Sequence, residues 1–413
     1  MNAAEHYDIA VIGGGPVGLA SAWRAARRGA RVAVFEQFTF GNERCGTSGA
    51  ERHWRLQYTE PDLCRLTGEA LPLWRDLEEA CGRRLVHAFG SLWFGDIDVA
   101  TNEGKISATA RTMDALSIPY RWLTAAEIER RYGFAQLPRH FEGFVQPDGG
   151  AVDVRATVEG LLRLADSAGC VLRAGEPVLG LEPDRDGVRL RTPRGRVRAA
   201  KVVLANGPYA NRLLEPLGAG LDLNVFEMAL VTLRGREHNA RYPFWYVFQE
   251  PTEEDTNLFY GFPPDIWQNT DRVRVGPVFE VDPLEQPEQA RGVPDPRHVG
   301  RVCDWIERHL PAVDPRPLAR ETCLAVLPAD PARQFFLGTA AERFDGGDNV
   351  VICTGGWGFK FVPLLGVVCA QLCLDGTTTY DVARLALPGP DDIPPADPSA
   401  TEPPLSHARP RTP

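Results

Sequence analysis

One stretch, Tyr7 to Glu36, limits what this chain can fold into more than any other: YDIAVIGGGPVGLASAWRAARRGARVAVFE. Asp8 to Ile12 is short, apolar and rich in β-branched residues, the pattern of a strand buried in a parallel sheet. It runs into Gly13-x-Gly15-x-x-Gly18, and from Val17 to Arg28 the period turns helical, with a small-residue face and a basic end. Gly29 closes the helix, and Arg31 to Phe35 is a second apolar strand ending at Glu36. Gly13 allows the tight turn, Gly15 lets a pyrophosphate approach the backbone, and Gly18 lets helix and strand pack closely. The helix N-terminus offers free N–H groups to phosphates. Glu36 stands where a carboxylate accepts both ribose hydroxyls and repels a 2′-phosphate. The stretch therefore predicts a dinucleotide site, for FAD or NAD, and its N-terminal position favours FAD.

The rest of the chain must complete that sheet. Lys201–Ala205 (KVVLA) and Asn349–Thr354 (NVVICT) read as further buried parallel strands, each ending in a glycine turn, Asn206-Gly207 and Gly355-Gly356. Helices are expected over 61–82, Glu127–Tyr132, Ala156–Ala168, Val299–Leu310 and Phe361–Leu374. Phe89–Phe94 looks like a strand of a different sheet. Strands around Val178–Leu181 and Val188–Arg191 flank an Asp186-Gly187 turn, and residues 222–280 are strand-rich and aromatic. The expected fold class is α/β: a discontinuous Rossmann-like FAD-binding domain (1–85, 150–220 and 320–387) and an antiparallel-sheet substrate domain (86–149 and 221–319). The tail from Pro388 is Pro-rich and reads as disordered.

With 413 residues the chain can bury two sizeable cores. Its formal net charge of −10 argues against nucleic acid or an anionic membrane as partner. No run approaches the length of a transmembrane helix, and MNAAEHYD is no signal peptide, so a cytoplasmic protein is expected. Nine cysteines lie scattered without a CxxC pair, which predicts free thiols and no metal site. Cys369 and Cys373 fall on one face of an apolar helix and read as core.

Chemistry concentrates in two segments. Gly41–Tyr58 is dense in Arg, His and small residues, and its run Arg52, His53, Trp54 and Arg55 suggests a semi-buried anion site beside the cofactor. Lys360, between Phe359 and Phe361 and near Trp357, is an ammonium among apolar groups and should be held for a purpose. By spacing alone, Cys323 reads as a buried structural thiol lying after a helix and before a strand at Phe335–Gly338. Glu103 reads as a surface carboxylate and Tyr260 as a sheet aromatic.

The segments GGGPVGLA, KVVLANG and GGWGFKF together resemble the D-amino-acid-oxidase-type flavoprotein oxidases, within them the monomeric sarcosine oxidase and N-methyltryptophan oxidase group. GTSGAERHWRLQY, SLWFGD, NEGKIS, QPDGG and ETCLAVLPADPARQFFLG are similar to a picolinate-forming branch of that group. The resemblance spans nearly all of 7–385. It implies FAD held by Gly13, Gly15, Pro16, Val17, Gly18, Glu36 and Gln37, by Thr47, Ser48 and Arg52, and by Val178, Asn206 and Gly207. Gly356, Trp357, Gly358, Phe359 and Lys360 would complete that set, and Cys323 would bond covalently to the flavin 8α-methyl, its pKa lowered by nearby arginines. It further implies that Arg55 and Lys360 bind a substrate carboxylate, that Tyr260 lies at the substrate pocket, and that Glu103 is a substrate-side acid or base. Three positions depart from the sarcosine oxidases: Ser48 replaces a histidine by the flavin, Arg274 replaces the lysine associated with oxygen activation, and Trp357 replaces a small turn residue. The activity implied is four-electron oxidation of piperideine-2-carboxylate to picolinate by a monomer, with O2 reduced to H2O2. A two-electron oxidase of sarcosine, pipecolate or proline stays open, as does a flavin-binding subunit without catalysis of its own. An NAD-dependent dehydrogenase would lack the late cysteine and the GFKF segment.

Overall fold

Five parallel strands carry the glycine-rich turn. In the computed structural model, which describes residues 5–236, 242–251, 258–264, 270–277, 282–330 and 333–389, their order is Val171–Ala174, Val32–Glu36, Glu5–Ile12, Gly195–Leu204 and Val350–Thr354. With a parallel neighbour on each side and apolar layers on both faces, Ile9, Ala10, Val11 and Ile12 are all buried, which is why they read as an unbroken hydrophobic run. Phe336–Thr339 adds an antiparallel edge, and a hairpin of Gly180–Asp184 and Gly187–Thr192 continues the first half of Gly195–Leu204. The hairpin begins two residues later than the sequence suggests, because Val178 belongs to a cavity wall instead.

Helices Pro16–Ala26, Pro61–Cys81, Val154–Ser167 and Val362–Asp375 cover one face of this sheet. The stretch Gly358–Asp375 departs from expectation: by length and composition it is apolar enough to cross a bilayer. Two-thirds of it is buried in protein, and Gly366 sets it directly on Ala20 of Pro16–Ala26. It is a core helix. Cys369 and Cys373 lie inside it, fully enclosed.

A second sheet of eight strands runs in the order Val313–Pro328, Leu223–Gly235, Arg272–Pro277, Leu258–Phe262, Phe244–Phe248, Ser91–Gly95, Glu142–Gln146 and Arg121–Thr124. It is antiparallel throughout except where Phe244–Phe248 runs parallel to Ser91–Gly95. Helix Pro296–His309, capped by the Asp295 carboxylate on the Arg297 N–H, packs on one face. There Trp305 stacks on Trp245 with ring centroids 4.9 Å apart. A small third sheet joins Glu51–Trp54, Gly150–Asp153 and Val86–Ala88.

Glu51–Trp54, to which the sequence assigned no element, is a strand, because pairing with the distant Gly150–Asp153 outweighs its polar local composition. Cys323 follows helix Pro296–His309 and precedes the strand Phe336–Thr339, as the sequence suggests. It sits inside the 16-residue strand Val313–Pro328, opposite Met228 on Leu223–Gly235. The aromatic segment 222–280 is strand-rich as expected over its described residues. The Pro-rich tail, apart from residues 388 and 389, lies outside them.

Candidate active site

One cavity of about 1010 Å³ opens between the parallel sheet and the second sheet. At one end the glycine turn forms its wall. Gly13 has φ +105° and backs onto the Ala205 carbonyl, while a Cβ at Gly15 would meet open space, as a cradle for a pyrophosphate requires. Gly18 is not part of the wall. A Cβ there would overlap the Gly13 carbonyl, so this glycine serves the helix–strand contact and not the cofactor directly. Pro16 and Val17 stand at the mouth of the helix. Glu36 is fixed by the Gly14 and Phe38 N–H groups, each 2.8 Å from a different carboxylate oxygen. Oε1 also accepts from the Asn42 amide at 3.5 Å, while Oε2 keeps a lone pair for a hydroxyl donor.

Further along the wall lie Gln37, Thr47, Ser48, Val178, Asn206 and Gly207. Ser48 Oγ and Asn206 Oδ1 are buried without a hydrogen-bond partner among the described residues. Buried polar atoms normally have one, so a polar ligand running the length of this wall fits them. Arg52 donates to the carbonyls of Gly46, Ser48 and Glu51, which ties the 46–52 turn into shape.

At the far end the charged groups converge. Arg55 is 2% exposed and pairs with Glu103, whose side chain is 5% exposed. The other Glu103 oxygen accepts from the Tyr246 hydroxyl at 3.0 Å. Arg55 lies over the rings of Tyr58 and Trp93, 4.2 and 5.1 Å from their centroids. Its Nε is buried and unpartnered among the described residues, and Lys360 Nζ spends one donor on the Trp357 carbonyl at 3.2 Å. Several cationic donors are thus left for an anion. Burial works against the Arg55 charge, but Glu103, Tyr58 and Tyr246 outweigh it and hold the proton more firmly. Lys360 goes the other way: burial and then Arg55 push it well below the ordinary lysine range, with Glu103 opposing. Trp74, on helix Pro61–Cys81, donates to the Lys360 carbonyl at 2.7 Å and fixes the backbone that carries the ammonium.

Tyr260, Arg274, Cys323, Gly356, Trp357, Gly358 and Phe359 also line this cavity. Arg274 is buried and paired with Glu51. The Cys323 thiol departs from expectation: burial raises its pKa, and Arg52 only partly offsets this. One arginine at a distance does not compensate for lost hydration. The cavity therefore gathers the predicted cofactor and substrate residues except Gly18, while Trp54 of the run Arg52–Arg55 is buried outside its lining, its Nε1 donating to the Asp148 carbonyl. It also holds groups to which the sequence assigned no role, Glu51, Tyr246 and Phe244, together with His53 of the predicted anion run. Tyr246 lies in the aromatic run FWYVF, which alternates through a sheet, and nothing local marks which of its rings faces a carboxylate 143 residues away.

Comparison with known proteins agrees with this geometry. The family model described as FAD dependent oxidoreductase matches residues 8–372. The solved open form of NikD, "an unusual amino acid oxidase essential for nikkomycin biosynthesis", superposes with a TM-score of 0.90 at 59% identity, covering 93% of this chain and 98% of that one. The monomeric sarcosine oxidase of Streptomyces avermitilis is 29% identical over 386 residues, 91% of this chain and 96% of its own length. A bifunctional-amine-oxidase-like protein of Dictyostelium discoideum is 29% identical over 404 residues; the match takes in 93% of this chain but only 37% of that longer protein. With its glycine turn, its ribose-side glutamate and its long cavity, the chain belongs to the FAD dependent oxidoreductase (DAO) family of amino-acid and amine oxidases.

Proposed function

We propose that this oxidase converts a cyclic imino acid, piperideine-2-carboxylate, to picolinate, removing four hydrogens and reducing two O2 to two H2O2. The observation that carries the reading is the buried convergence of Arg55, Lys360, Glu103 and Tyr246 at one end of the cavity. The likeness to NikD supports it, and by that likeness the product would serve antibiotic biosynthesis.

Bound FAD supplies an acceptor for two electrons at a time and is restored by oxygen. The chain supplies the rest. Arg55 and Lys360 hold the substrate carboxylate, which offsets its loss of water on entering a closed site. Glu103, held by Arg55 and Tyr246, takes or returns a proton at the substrate ring. Tyr260 shapes the pocket, and Trp357 covers the ring face and restricts the site to flat substrates. Arg274, paired with Glu51, provides the fixed positive charge that favours oxygen reduction. Cys323 is assigned a thioether to the flavin 8α carbon, with the Arg52 charge favouring its thiolate. The parallel sheet with its helices is assigned to FAD and the eight-stranded sheet to substrate, in a monomer acting in the cytoplasm.

A second reading, a two-electron oxidase of a secondary amine, draws on the likeness to monomeric sarcosine oxidase. Oxygen uptake decides between them. With piperideine-2-carboxylate, and no catalase, two oxygens per substrate and a growing pyridine absorbance are expected. A ratio of one without pyridine absorbance, or turnover confined to sarcosine or proline, would sink the first reading.

A further inference from the structure

His53 is built into the cavity wall by contacts that the charged cluster does not need. Its ring stacks on Phe244, with centroids 3.6 Å apart and planes 13° from parallel, and it meets Tyr246 edge-on at 5.5 Å. Nε2 lies 2.8 Å from Ser91 Oγ, and the Gln57 amide nitrogen donates to that same oxygen at 2.7 Å. Ser91 and Gln57 are fully buried. Nδ1 has no hydrogen-bond partner among the described residues, nor is it one of the enclosed atoms that lack one, so it is left accessible from the cavity that His53 lines.

These contacts choose a tautomer. With the Gln57 nitrogen assigned toward Ser91, the Ser91 oxygen receives that hydrogen and its own is left to point at His53 Nε2. Nε2 then accepts, and the single proton of a neutral imidazole sits on Nδ1. The ring is neutral because burial, then Arg55 and Lys360, disfavour the imidazolium. A third cation beside those two would be costly; a neutral N–H donor is not.

We propose that His53 is a substrate-positioning residue, donating an Nδ1–H hydrogen bond to the unprotonated ring nitrogen of a 2-carboxylated cyclic imine or pyridine whose carboxylate Arg55 and Lys360 hold. The inference rests on the carboxylate site proposed above. It adds how the ring is turned: two cations fix one end of the ligand, and a neutral donor recognises the adjacent nitrogen.

Benzoate and picolinate separate the two ideas, because both carry the carboxylate and only picolinate carries the ring nitrogen. Calorimetric titration of the holoenzyme should show picolinate binding more tightly than benzoate. His53→Phe, which keeps a ring against Phe244, should weaken picolinate threefold to tenfold, the worth of one neutral hydrogen bond, and leave benzoate unmoved. Ser91→Ala keeps the imidazole but frees its proton, and should lose part of the same preference. Equal losses for both acids would mark His53 as structural and overturn the inference, as would unchanged picolinate binding in both variants. If the parent enzyme binds benzoate as well as picolinate, the inference fails while the carboxylate site stands. If the parent binds neither, the carboxylate site falls and this inference with it. Should His53→Phe not fold, the picolinate-to-benzoate ratio in Ser91→Ala decides alone.

Discussion

Lys360 is an ammonium that its own protein surroundings stabilise poorly. Burial first, and then the Arg55 charge, depress its pKa well below the ordinary 10.5, and Glu103 restores only part. A carboxylate bound at Arg55 and Lys360 supplies the opposite charge the lysine lacks, so binding raises that pKa and draws a proton from solvent. The sign follows. Below the free-site pKa the lysine is already charged and affinity is flat. Above it, affinity falls about tenfold per pH unit until the pKa of the complex is reached. Lys360→Met keeps the apolar volume and removes the charge. One charge-assisted hydrogen bond contributes about 1.5–3 kcal/mol, so picolinate should bind roughly 10- to 150-fold more weakly. Titrating picolinate into the holoenzyme between about pH 7 and 9.5, in two buffers of different ionisation heat, counts the protons taken up. The parent should take up a growing fraction of one proton as pH rises, and the variant none. The linkage to folding has its own sign: between the depressed pKa and 10.5 the unfolded chain binds the extra proton, so stability rises with pH there. Lys360→Met should therefore melt higher than the parent at neutral pH, and the gap should close as pH rises. Affinity independent of pH without proton uptake, or a variant binding picolinate as tightly as the parent, would refute the reasoning.

Other residues give shorter tests. Glu103→Gln leaves a buried guanidinium without its counter-charge, which should lower stability in denaturant by about 3–5 kcal/mol while tightening anion binding at Arg55; an unchanged midpoint would mean the pair is not formed. Acid-precipitated protein should stay yellow and yield a Cys323 peptide carrying the mass of FAD, whereas Cys323→Ala should release its flavin; colour washing entirely out of the parent would exclude the thioether. Arg274→Met should slow reoxidation by oxygen in stopped flow while leaving anaerobic reduction by substrate near the parent rate; equal rates in both halves would remove Arg274 from oxygen chemistry. Gly18→Val should abolish flavin incorporation, since its side chain would overlap the Gly13 carbonyl and part the helix from the strand; a variant purified with full flavin would contradict that packing role.

What could be read in advance separates cleanly by the distance over which each feature is decided. Gly13 to Glu36 is settled within one strand, one turn and one helix, and the structure keeps it almost residue for residue. The buried strand Val350–Thr354 and the apolar helix after it are likewise local patterns, fixed by burial on both sides. The chemical end of the cavity is decided elsewhere. Arg55 meets Glu103 across 48 residues, Tyr246 meets Glu103 across 143, and Arg274 meets Glu51 across 223. No period or turn signal reaches that far, and so Glu103 alone reads as a surface acid although its side chain is 5% exposed. Resemblance located Arg55, Glu103 and Lys360 in one cavity because it carries the fold with it. It gave His53 and Tyr246 no part, since their roles depend on the individual partners Ser91, Gln57 and Glu103. A carboxylate held between Arg55 and Tyr246 also shows how this site accommodates buried charge. Glu103 is satisfied on both oxygens, and the donors left over at Arg55 Nε and Lys360 Nζ are the ones a bound acid would use. Specificity then lies less in any single residue than in which donors the fold leaves unspent.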